Sequence, residues 1–188
     1  YIVFVSLSML VYVTIFSYKN EIFQKIGFWK FWIFTTFIGI GIAHFPLLYD
    51  HESNGKSLTI MIIALTFSFD IFSLFIGKRF GKTKIFPQIS PNKSLQGYIG
   101  GFISLFPILF LLQTVLGISS SYIVFFIIII TIGFSSLLGD LYESYIKRQA
   151  KIKDSGSIIP GHGGILDRTD SILSNIIVFY WIVIWLKI

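Results

Sequence analysis

Long apolar runs separated by short polar connectors set the pattern of this chain. About 20 apolar residues are needed to cross a bilayer as an α-helix. Six stretches approach that length: 1–17, 28–48, 57–77, 98–117, 120–139 and 171–187. The fifth, with isoleucine throughout from Ile127 to Ile130, is the clearest. A turn around Gly117 to Ser120 joins it to the fourth as a helical hairpin. The pattern predicts an all-α, polytopic transmembrane helix bundle of about six spans. Gly97 and Gly101 form a G-x-x-x-G step, which permits close approach of two helices. Tyr1, in place of Met, opens directly into the first run, so the chain is expected to lack its natural N-terminus. It has neither the basic region nor the small-residue cleavage site of a signal peptide.

Composition agrees with a membrane bundle. The chain is 54% hydrophobic and 13% charged, against about 25% charged in a soluble domain, and its mean hydropathy is +0.80. The absence of cysteine excludes disulfides and thiolate metal sites, and the scattered His44, His51 and His162 make no zinc pattern. The net charge of +6 reads as topology plus attraction to anionic lipid or nucleotide, with no nucleic acid implied. Lys19, Lys25 and Lys30 lie in the connector 18–30. Lys78, Arg79, Lys82, Lys84 and Lys93 fill the connector 78–97, and Lys147, Arg148, Lys151, Lys153 and Arg168 fill the connector 140–170. Only Lys56 and Lys187 of the 15 cations fall on the other side. The positive-inside rule therefore predicts that these connectors face the cytoplasm and that both ends of the chain lie outside. Trp29, Trp32, Tyr49, Trp181 and Trp185 are placed as interfacial belt residues.

Candidate chemistry concentrates in 139–170, the one long polar stretch late in the chain. Asp140, Glu143, Ser144 and Lys147 would share a face if the fifth helix runs on. That face suits a metal-bound phosphate, or equally a solvated helix end with internal ion pairs. Pro160, Gly161, His162, Gly163 and Gly164 cannot form an ordinary helix, and such glycines let backbone N–H groups approach an anion. Asp167, Arg168 and Asp170 follow just before the last span. Aspartates at two helix ends, with Lys, Arg and loop amides between them, suggest Mg²⁺-dependent phosphate chemistry at a membrane surface. His162 belongs to this site or serves only structure. Asp70, inside the third stretch, is either locally paired or a polar wall of a substrate cavity.

Ser144, Lys147-Arg148, Lys153-Asp154, Gly156, Pro160, His162-Gly163-Gly164, Asp167-Arg168 and Asp170 stand in a long, specific pattern. It resembles the signature of CTP:phosphatidate cytidylyltransferases, also called CDP-diacylglycerol synthases. Gly77-Lys78, Gly81-Lys82, Pro87, Ser90-Pro91, Lys93-Ser94 and Gly97 agree as a second stretch, so the resemblance covers about residues 65–188. It implies an enzyme making CDP-diacylglycerol and pyrophosphate from CTP and phosphatidic acid, with Mg²⁺, one cation or two per site. The implied metal ligands are Asp140 and Asp167. Lys147, Arg148, Lys153, Asp154, His162 and Arg168 are the implied catalytic group. Lys78, Lys82, Ser90, Lys93, Ser94, Ser144, Gly163 and Gly164 are the implied nucleotide contacts. A homodimer in a bacterial cytoplasmic membrane is also implied, with 1–56 as N-terminal spans and 57–188 as the catalytic domain. The chain departs from the family pattern at Leu95, at Gln96 and Gln149, where acids are usual, and at Lys151, where glycine is usual. The sequence after Asp70 is also greasier than usual. A CTP-dependent lipid-alcohol kinase is the rival enzyme, and a degenerate scaffold homologue the rival non-enzyme.

Overall fold

The computed structural model describes residues 27–52, 54–118, 120–152 and 166–188, with only the backbone of 28 and 166–168. The stretch 1–17 therefore lies outside the described residues. The other five apolar stretches form helices: α1 (Phe28–Tyr49), α2 (Gly55–Phe80), α3 (Leu95–Leu116), α4 (Tyr122–Gln149) and α5 (Leu166–Leu186). All five are long and apolar enough to cross a membrane. Among the described residues there is no strand, only an isolated antiparallel bridge between Lys84 and Ser94.

Local chemistry sets the helix ends. Ser94 caps α3 by accepting from Gly97 N at 3.2 Å, and Ser121 caps α4 by accepting from Val124 N at 3.4 Å. Gly117 ends α3 in the left-handed conformation, φ 68°. α4 runs ten residues past the apolar stretch, and its polar extension carries the Glu143–Lys147 ion pair at 2.6 Å, spaced i, i+4.

α2 lies along α3 and α4 along α5, while α1 packs across α5 and α2. The α2–α3 seam is close because glycines line it. A Cβ on Gly97 would sit 2.6 Å from Ser73 O and 3.0 Å from Gly77 Cα, so the G-x-x-x-G step is used as the sequence suggests. Leu58, Leu65 and Phe69 of α2, Leu105 of α3, Ile128 and Ile132 of α4, and Ile176 and Phe179 of α5 fill the interior. Ile103, Phe110, Val115, Ile123 and Leu138 point outward and are strongly exposed. Apolar surface both inside and out is what a lipid-embedded bundle requires.

Lys30 Nζ donates to Gln149 Oε1 at 3.1 Å, so the start of α1 meets the end of α4. The end of α2 and the starts of α3 and α5 share that side. Lys78, Arg79, Lys82, Lys84, Lys93, Lys147, Arg148 and Lys151 lie there, and Lys56 and Lys187 lie at the opposite end. The molecule is a multi-pass membrane protein with one strongly basic end.

Candidate functional site

The basic end holds a cluster of carboxylates from three helices. Asp70 enters from α2, Asp140 from α4 and Asp170 from the first turns of α5. Ser171 stands among them. Its hydroxyl lies 3.4 Å from Asp70 Oδ1 and 3.4 Å from Asp140 Oδ1, long for an O–H···O bond. One proton cannot serve both at once. Ser171 N donates to Asp170 Oδ1 at 2.8 Å, and the carboxyl groups of Asp140 and Asp170 are within hydrogen-bonding reach of each other. Tyr98 of α3 places a buried hydroxyl, with no hydrogen-bond partner among the described residues, where it feels the charge of all three aspartates.

Small residues make this convergence possible. A Cβ on Gly139 would sit 2.9 Å from Asp170 O and collide with Ser174 Oγ. Glycine just before Asp140 therefore lets α5 pass against α4 at the level of the site. Ser174 Oγ lies at that crossing, 2.9 Å from Ser135 O of α4 and 2.9 Å from Ser171 O of its own helix, with one proton to give to either.

Lys93 supplies the cation that meets the cluster. Its Nζ lies 2.5 Å from Asp140 Oδ2, both side chains about a quarter exposed. At this separation the two opposite charges attract strongly. The connector 81–94 aims it. Leu95 N donates to Thr83 O at 2.9 Å and Ile85 N to Lys93 O at 3.3 Å, pairing the two limbs of the connector. Ser90 N donates to Phe86 O at 2.8 Å and Lys93 N to Ser90 O at 3.3 Å, closing its tip. Gln96 Oε1 accepts from Lys82 N and Thr83 N, each at 3.1 Å. An amide oxygen thus performs a double acceptor role that a carboxylate could also fill.

The remaining sequence-predicted residues are distributed around this centre. Lys147 pairs with buried Glu143 on α4. Arg148 donates from Nε to Ile89 O and from Nη1 to Ile152 O, both at 3.2 Å, tying the connector 81–94 to the end of α4. Ser94 is buried with its hydroxyl turned onto Gly97 N as the α3 cap, which makes it part of the frame. Lys78 and Lys82 are exposed at the rim, and Ser90 and Ser144 are half-buried. Lys153, Asp154, His162, Gly163 and Gly164 lie outside the described residues, as do the side chains of Asp167 and Arg168. The sequence leaves Asp70 with two readings and places Asp170 beside Asp167 just before the last span, without assigning it a ligand role. It did not single out Ser171 or Tyr98 for the site. The signal available was a polar residue on the inner face of an apolar helix, one turn from another polar residue.

Among the described residues, no three His, Cys, Asp or Glu side chains close around one point tightly enough to hold a metal ion. The chemistry of the donor set nevertheless suits a hard cation, because three carboxylates gather about one hydroxyl, that of Ser171. Like charges gathered in a low-dielectric setting attract a cation strongly.

Comparison with known proteins adds lineage to this geometry. The chain is 35% identical over 170 residues to the phosphatidate cytidylyltransferase of Bacillus subtilis, covering 90% of this chain and 62% of that protein. It is 40% identical over 159 residues to the phosphatidate cytidylyltransferase of Thermotoga maritima, covering 82% and 57%. With that of Helicobacter pylori it shares 35% over 160 residues, covering 79% and 57%. The chain thus spans between 57% and 62% of the length of these relatives. The model of the cytidylyltransferase family matches residues 1–186, and the chain belongs to that family.

Proposed function

We propose that this chain carries the catalytic part of a phosphatidate cytidylyltransferase, converting CTP and phosphatidic acid to CDP-diacylglycerol and pyrophosphate. The observation that supports it most is the cluster of Asp70, Asp140 and Asp170 about Ser171, with Lys93 paired to Asp140, at the basic end of the bundle. A phosphate oxygen of phosphatidate attacks the α-phosphorus of CTP. A new P–O bond forms, the bond to the bridging oxygen of the β-phosphate breaks, and pyrophosphate leaves. Phosphatidate is already anionic, so little proton transfer is needed. The barrier is repulsion between two anions plus the cost of orienting them.

Asp140 and Asp167 would hold Mg²⁺, which supplies charge neutralisation for the triphosphate when bound. Asp70 and Asp170 add to the negative field that draws a cation to this place. Lys93, beside Asp140, is positioned to meet a phosphate that arrives with the metal, and Lys147 and Arg148 extend the positive surface along α4. Lys153, Asp154, His162, Gly163, Gly164 and Arg168 complete the site on this reading, on the strength of the sequence signature. The lipid tails stay in the bilayer beside the helices, with the reacting headgroup at the basic end. That end faces the cytoplasm of a bacterial cell, where CTP is available, and the protein assembles as a homodimer, a point resting on resemblance alone.

The test is incubation of the full-length protein with phosphatidic acid and CTP labelled at the α- or the γ-phosphorus. The α-label is expected in the lipid product and the γ-label in pyrophosphate. Transfer of γ-label to a lipid would instead establish a kinase.

A further inference from the structure

Beneath the carboxylates lies a second polar layer. Asn175 Nδ2 donates to Ser136 Oγ at 2.7 Å and to Thr66 Oγ1 at 2.9 Å, bridging α5 to α4 and α2. Asn175 and Ser136 are 0% exposed and Thr66 is 1% exposed. The Thr66 hydroxyl donates to Ile62 O at 2.8 Å, so it can only accept from Asn175, which fixes the amide nitrogen on that side.

The register of this bridge matches that of the cluster above it. Thr66 precedes Asp70 by four residues on α2, and Ser136 precedes Asp140 by four on α4. Asn175 follows Ser171 by four on α5, which runs the opposite way. Helical residues four apart stack on one face, about 6 Å apart along the axis. The arms of the bridge therefore lie one turn below Asp70, Asp140 and Ser171, the last of which adjoins Asp170. A rotation of any of the three helices by one residue, about 100°, would break the bridge and turn its carboxyl group away. All three side chains are buried, so water does not reach them to replace the lost bonds without the helices parting.

We propose that Asn175 is a positioning residue. Its bridge to Thr66 and Ser136 fixes the rotation and depth of α2, α4 and α5, and so holds Asp140 in place as a ligand and Asp70 and Asp170 beside it, where their charge draws a divalent cation. The proposal rests on the reading that the cluster serves such a cation.

Three variants of the full-length protein in detergent test it: Asn175→Leu, Thr66→Val and Thr66→Ser. Binding of Mn²⁺ is read from the loss of the free-ion EPR signal, alongside thermal unfolding without metal and turnover against Mg²⁺ concentration. Asn175→Leu and Thr66→Val are expected to weaken Mn²⁺ binding by about tenfold or more, the scale seen when partners of metal ligands are removed. The half-saturating Mg²⁺ concentration should rise in proportion. Thr66→Ser, which keeps the hydroxyl, should bind Mn²⁺ like the unmodified protein. Lower thermal stability with unchanged Mn²⁺ binding in the Leu and Val variants would overturn the proposal and leave the bridge as packing glue. A Thr66→Ser variant as impaired as Thr66→Val would overturn it too, by assigning the effect to the methyl group. Should Asn175→Leu fail to fold, the Thr66 pair decides alone. Mn²⁺ binding without CTP turnover in the unmodified protein would sink the proposed reaction, while the EPR comparison still judges the bridge. No Mn²⁺ binding by the unmodified protein would overturn both.

Discussion

Lys93 and Lys84 are nine residues apart in one connector, and their side chains have different fates. The paired limbs and closed tip of 81–94 deliver Lys93 to Asp140 at 2.5 Å, whereas Lys84 is exposed. An ammonium held at a carboxylate is already oriented for a phosphate that enters with a cation, so little ordering entropy is lost on binding. Lys93→Ala is expected to lower kcat/KM for CTP by at least about tenfold, or about 1.4 kcal/mol of transition-state binding. Lys84→Ala should change it by less than about twofold, as expected for a solvated charge screened by salt. Steady-state kinetics on the two variants separates an aimed cation from a diffuse positive field; equal small effects would mean the latter. The sequence made this contrast legible, because Pro91 fixes its own φ and restricts Ser90. The identity of the partner was not legible, since Asp140 is 47 residues further along the chain and only the packing of α4 against the bundle brings it near. Ser171 and Tyr98 were not legible for the same reason: each is an ordinary residue until the helices place it beside the aspartates.

At the scale of elements, the five described helices could be read from apolar runs almost to their ends, and their polar extensions could not. Hydropathy marks the part of a helix that crosses lipid, while caps and ion pairs decide how far it continues on either side. The end of α4 shows this most clearly. Ile152 N donates to Lys147 O at 3.0 Å and Lys151 N to Arg148 O at 3.1 Å, the two bonds of a Schellman motif. Lys151 occupies the left-handed position of that motif with φ 58°. The glycine usual there in the family is thus explained by backbone geometry, and its replacement by lysine bears on the helix end. A non-glycine residue in this conformation costs about 1–2 kcal/mol. Lys151→Gly is therefore expected to stabilise the protein by about 1 kcal/mol, a rise in Tm of about 2–4 °C for a chain of this size. Thermal unfolding in detergent, with kcat measured in parallel, checks it. A fall in Tm would show that the Lys151 side chain contributes more than its backbone strain removes.

For the whole molecule, sidedness decides whether the site can meet its substrates. The helices alternate in direction, and the Lys30–Gln149 contact ties the start of α1 to the end of α4. The carboxylate cluster and the connector 81–94 are therefore at one end, and the α1–α2 turn is at the other. Charge bias predicts which end faces the cytoplasm, because Lys and Arg accumulate in cytoplasmic connectors. The chain contains no cysteine, so a single introduced thiol reports its own location. Gln88, at the tip of the basic connector, and Glu52, in the α1–α2 turn, are both exposed. Gln88→Cys is expected to react with a membrane-impermeant maleimide only after the cytoplasmic face of the membrane is opened to it, and Glu52→Cys in intact cells. The reverse pattern would place the carboxylates on the side without nucleotide. Reaction of both in intact cells would mean that the bundle inserts in two orientations, and only the fraction with Gln88 protected could then account for CTP turnover.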